Sequence, residues 1–75
     1  MDIQDYCYNK LRGKIVEKFG NVERFSKAFG ETATTVGKKL SGKSEWTQSD
    51  IAKAISLLNI SADKIPNYFF SQKVE

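Results

Sequence analysis

Apolar residues recur along the chain at steps of three and four, the period of an α-helix rather than a strand. Tyr8, Leu11, Ile15 and Phe19 form the first stripe, with Lys10, Lys14, Glu17 and Lys18 between them on the water side. The spacing predicts a helix that stops at Gly20, because glycine takes up the left-handed conformation that closes a helix. Asp5 or Asn9 is the expected cap at its start. Val22, Phe25 and Phe29 make a shorter stripe, bounded by a capping Asn21 and a stop at Gly30. A third helix is expected from Ala33 to Leu40, opened by Thr32, anchored by Val36 and Leu40, and broken by Ser41 and Gly42. Thr47 with Asp50 three positions on has the pattern of a capping box, with Asp replacing the usual Glu or Gln. Ile51, Ala54, Ile55 and Leu58 then mark a fourth helix ending at Asn59. Ser61 is expected to cap one more turn through Ile65, with Pro66 preventing its simple continuation because proline has no N–H to donate. The pattern is that of an all-α chain: one domain, 1–75, a compact bundle of about five short helices. Its tail, 66–75, is expected to pack back on the bundle or to lie at a dimer seam.

Composition narrows the chemistry. Of the 75 residues 40% are hydrophobic, enough for one core without a metal or a disulfide. The single cysteine, Cys7, has no internal partner and reads as a partly buried, inert side chain. There is no histidine, which removes the commonest general base and metal ligand. No glycine-rich phosphate loop, nucleophile elbow or HExxH motif occurs. No catalytic residue, metal or cofactor is therefore expected. No charged-then-apolar leader and no apolar run of about 18 residues is present, so neither export nor membrane spanning is expected. The net charge of +3 permits a polyanionic partner without demanding one.

The informative segment is Asn21 to Lys43, two short helices joined by a turn at Gly30 and Glu31. In a helix-turn-helix the first helix crosses the DNA backbone and the second enters the major groove. With Val36 and Leu40 toward the core, helix three turns Thr34, Lys38 and Ser41 outward, flanked by Thr35 and Gly37. From Thr32 to Ser44 there are three lysines and no carboxylate, so this surface approaches phosphates without repulsion. Lys38 suits guanine O6 or N7, and Thr34 offers a hydroxyl or packs its methyl on thymine. Gly37 allows close approach of the backbone to the groove floor. Ser41, Lys43 and the N-termini of helices two and three suit phosphates, and Thr35 and Lys39 complete the expected phosphate-facing set.

The run Phe25-Ser26-Lys27-Ala28-Phe29-Gly30, then Thr32 to Val36, then Leu40-Ser41-Gly42-Lys43, resembles the helix-turn-helix of the phage repressor and Cro class, the XRE-like family. The likeness continues through Ile51 to Ser61. More narrowly, Tyr8 to Ile15 and the ending Tyr68 to Val74 look like short phage regulators of Gram-positive hosts. The resemblance implies a lambda repressor-like fold, work in the bacterial host cytoplasm, and operator binding as a dimer. It carries base-reading positions onto Ala33, Thr34, Gly37 and Lys38, and phosphate-holding positions onto Asn21, Thr32, Ser41 and Lys43. Val22 and Ala33 stand where many relatives have glutamine. A phosphate clamp and a base-directed hydrogen bond are thereby missing, and recognition would lean on DNA shape.

Two residue groups lie outside that scheme. Trp46 is expected as a lid over Ile51 and Leu40, since large aromatics bury most of their area. Tyr68, Phe69 and Phe70 cannot all face one core, so part of the trio is expected at a homodimer or partner interface. Two functions stand side by side on these grounds. One is a Cro-like repressor that binds double-stranded operator DNA at a lytic–lysogenic switch. The other is an antirepressor or modulator of repression that grips a phage repressor protein.

Overall fold

Local hydrogen bonds decide where each helix begins and ends. In the computed structural model, which describes residues 6–71, α1 spans Asn9–Phe19, α2 Val22–Phe29, α3 Ala33–Leu40 and α4 Gln48–Leu58. A 3-10 turn, Ala62–Lys64, leads straight into α5, Ile65–Phe69. Asn21 Oδ1 accepts the N–H of Arg24 at 2.8 Å, and Thr32 Oγ1 accepts that of Thr35 at 3.1 Å. Thr47 and Asp50 cap each other reciprocally. The Asp50 N–H donates to Thr47 Oγ1 at 3.0 Å, while the Thr47 N–H donates to Asp50 Oδ2 at 3.1 Å. Gly30 closes α2 at φ 91° and Asn59 closes α4 at φ 58°. Asparagine is among the few non-glycine residues that visit that region readily.

Two expectations are corrected. The residue at the N-cap of α1 is Tyr8, with no side-chain cap bond, and Asn9 is already inside the helix. Asp5, the other candidate cap, lies outside the described residues. Pro66 does not block a fifth helix but helps to start one, since it sits in the first turn of α5. There its missing N–H has no intrahelical acceptor to lose.

The helices converge on one core. Leu11 and Ile15 of α1, Phe25 and Phe29 of α2 and Val36 and Leu40 of α3 are buried. So are Ala54 and Leu58 of α4, Ile60 after it, and Phe69 of α5. Trp46, in the loop before α4, closes this core from one side. Its ring lies 5.2 Å from Phe69, 6.0 Å from Phe29 and 6.2 Å from Tyr8, centre to centre. Its indole N–H donates to the Lys39 carbonyl at 3.1 Å. Trp46 is thus a lid, with aromatic partners dominating its contacts. The first and last parts of the described segment are tied together where the Cys7 N–H donates to the Ser71 carbonyl at 2.6 Å. No helix among the described residues is long and apolar enough to cross a membrane.

Candidate functional site

The segment from Asn21 to Lys43 folds as the wheel arithmetic requires. The N–H groups of Gly30 and Glu31 both donate to the Ser26 carbonyl, at 2.9 and 3.1 Å. The chain therefore leaves α2 and enters α3 within three residues. Val36 and Leu40 turn inward. Ala33, Thr34 and Lys38 are exposed and Gly37 is half-buried, so the four expected base-reading residues share the outward side of α3. An added Cβ at Gly37 would meet nothing within 4 Å of this chain.

The phosphate-facing set divides. Asn21, Thr32, Ser41 and Lys43 are exposed, although three of them already hold the backbone. Asn21 Oδ1 and Thr32 Oγ1 are the caps described above, and the Ser41 hydroxyl donates to the Lys38 carbonyl at 3.2 Å. Asn21 keeps the two donors of its amide nitrogen. Thr35 is half-buried, and its hydroxyl accepts from Thr32 at 3.0 Å. Lys39 does not join the set. Its ammonium lies 2.8 Å from Asp50 Oδ2 and 3.0 Å from the Glu45 carbonyl, with only 12% of the side chain exposed. It locks α3 to the start of α4 instead of reaching outward. Burial pushes the Asp50 carboxyl up, but the bonds from Lys39 and Thr47 and the Lys39 charge outweigh that effect. Its pKa lies below the ordinary carboxylate value.

The aromatic trio divides as well. Phe69 is 1% exposed and belongs to the core, so it is removed from any interface. Tyr68 is half-buried. Phe70 is 46% exposed, its ring edge-on to Tyr6 at 5.4 Å. Beside Phe70 the side chains of Ile51, Ala52, Ile55 and Ile65 line an open apolar groove of about 700 Å³ between α4 and α5. Ile51 and Ile55 were expected in one buried stripe with Ala54 and Leu58. The structure buries the second pair fully and leaves the first half-exposed. Spacing gave no warning of this, since the four residues fit one stripe about 100° wide, the usual width of a core-facing side, and packing covers only one edge of it.

The molecule thus presents two unlike faces. One is a lysine- and threonine-bearing helix without carboxylates, and the other is an apolar groove rimmed by an exposed phenylalanine. A family model described as protein of unknown function (DUF739) matches residues 4–72. That description names neither repressors nor Cro. No curated protein matches the sequence. Among solved structures, the chain is similar to the modulator of repression (MOR) of the temperate bacteriophage TP901-1 from Lactococcus lactis, a solution structure. The two share 39% sequence identity with a TM-score of 0.80, over 99% of this chain and 100% of that one.

Proposed function

This chain belongs to the DUF739 family of proteins of unknown function, and from that premise we propose that it acts as a modulator of repression, binding a phage repressor protein. One observation carries the reading: the end-to-end likeness, at 39% identity, to a protein that bears that role in its name. The surface agrees with it. An exposed apolar groove on a small domain is what a protein partner covers, and Phe70 with Ile51, Ile55 and Ile65 provides it. Val22 and Ala33, where glutamine would clamp a phosphate and read a base, take DNA-directed bonds away. The mechanism is then occupancy: the protein sits on the repressor, and the repressor's operator is released.

A second reading rests on the outward side of α3. Thr34 and Lys38 are exposed with no carboxylate on that helix, which keeps a Cro-like role in operator binding open to test. Measuring affinity for a phage repressor's DNA-binding domain and for operator DNA separates the two. On the modulator reading, Phe70→Ser weakens repressor binding by about tenfold or more, the scale of a buried aromatic anchor. Lys38→Ala leaves it unchanged. If the protein alone shifts operator DNA, with steep salt dependence and loss of specificity in Lys38→Ala, the Cro-like reading takes its place.

A further inference from the structure

Three lysines converge on a single cleft between α1, the end of α4 and α5, a region that neither functional reading uses. The cleft has a volume of about 490 Å³, within the usual range of small-molecule sites. Lys10 and Lys14 stand one turn apart on α1 and so share a flank of that helix. Lys64, the last residue of the 3-10 turn, lines the same space. The left-handed Asn59 makes this possible, because it ends α4 and folds the chain back toward α1. Asn67 and Tyr68 of α5 and Ser61 supply amide and hydroxyl groups to the lining. Ser61 starts the 3-10 turn without spending its side chain on a cap bond.

No carboxylate among the described residues lines the cleft. Among the described residues, Glu17 Oε1 lies a long 3.8 Å from Lys14 Nζ with its side chain 68% exposed, and Asp63 is exposed next to Lys64 in sequence. Three cationic side chains lining one space favour the entry of a counter-charge. The residue types select among anions. Planar carboxylates favour the forked guanidinium of arginine, whereas lysine serves phosphate as a point charge. Neither arginine of the chain, Arg12 or Arg24, lines the cleft. Lysine with asparagine, serine and tyrosine is also the set that contacts phosphate groups in nucleic-acid complexes.

We propose that this cleft is a phosphate-binding site, distinct from α3 and from the Phe70 groove, which takes the phosphate of a mononucleotide or of a nucleic-acid backbone. The test is an amide-resolved NMR titration of the full chain at constant ionic strength. The probes are inorganic phosphate, adenosine monophosphate and a short DNA duplex of arbitrary sequence, with acetate and an acidic peptide as controls. Saturable shifts at Lys10, Lys14, Lys64 and the Asn67 side-chain amide are expected. In a Lys10→Ala/Lys64→Ala double variant the affinity falls by about tenfold or more. Both lysines are exposed, so that variant keeps its thermal midpoint and the loss is not one of folding. Shifts with phosphate and mononucleotide but not duplex assign the site to small ligands, whereas shifts with duplex at these residues assign it to a backbone. The proposal is overturned if no probe saturates, if acetate or the peptide binds as well as phosphate, or if the double variant binds unchanged. None of these outcomes touches repressor binding, which is read separately.

Discussion

A single side chain can be chosen for what it touches rather than for its type, and Lys39 and Phe69 are the two cases here. Lys39 belongs by type with Lys38 and Lys43, but its ammonium completes a three-way junction with Asp50 and the Glu45 carbonyl. Lys39→Met retains the packing of the stem and removes the charge, leaving Asp50 without its strongest partner. We expect a loss of about 1–3 kcal/mol in urea unfolding, the scale of a hydrogen bond to a charged group. The same junction gives a pH dependence. The Asp50 carboxyl is depressed in the folded chain, so its contribution is fully present above the unfolded value near 3.8 and is lost as pH falls below that toward the folded value. Thermal midpoints measured down through this window should fall for the native chain, and Asp50→Asn should flatten part of that fall. An unchanged slope would mean that the junction adds nothing. Phe69 and Phe70 make the complementary contrast. Phe69→Ala should cost about 3–5 kcal/mol as a core truncation, whereas Phe70→Ser, which loses a half-exposed ring and its edge contact with Tyr6, should cost only about 1–2 kcal/mol.

At the scale of an element, the turn between α2 and α3 and the middle of α3 respond to the same substitution in opposite directions. Gly30 stands at φ 91° with open space where a Cβ would go, so Gly30→Ala meets no neighbour and suffers only the left-handed backbone penalty. That is about 1–2 kcal/mol of destabilisation. Gly37 lies inside α3 with equally open space. Gly37→Ala should therefore stabilise by about 0.5–1 kcal/mol through helix propensity. The pair bears on function too. If the bare backbone at Gly37 serves approach to a groove floor, Gly37→Ala raises the thermal midpoint while weakening DNA binding. On the modulator reading it raises the midpoint and leaves repressor binding as it was. A fall in midpoint would show that a partner-free α3 is not as open as its geometry indicates.

For the whole molecule, the last described helix is part of the core rather than an appendage. α5 packs against α1 and α4, Phe69 fills the space beneath Trp46, and a backbone bond joins Cys7 to Ser71. A domain of this size has roughly 4–11 kcal/mol of stability at about 0.05–0.15 kcal/mol per residue. Deleting residues 66–75 removes Phe69 alone at about 3–5 kcal/mol. Circular dichroism of the shortened chain is expected to show a thermal midpoint far below that of the full chain, and an unchanged midpoint would contradict this account of the tail. The partition of faces also belongs to this scale. α3 offers its lysine side, the α4–α5 groove its apolar side, and the cleft by α1 its three lysines. The three can be addressed by separate substitutions.

The caps and stops at Asn21, Gly30, Thr32, Thr47 with Asp50, and Asn59 were legible in the sequence alone, as was the outward side of α3. Each depends on hydrogen bonds or side-chain directions spanning five residues or fewer, and a helix repeats its geometry so closely that spacing stands in for position. The fate of Lys39 depends on a carboxylate eleven residues away. The inward turn of Phe69 and outward turn of Phe70, the half-exposure of Ile51 and Ile55, and the meeting of Lys10, Lys14 and Lys64 depend likewise on how helices pack. Periodicity says that a helix has an apolar side. Only packing decides how much of that side the core covers, and what is left over is the surface available to a partner.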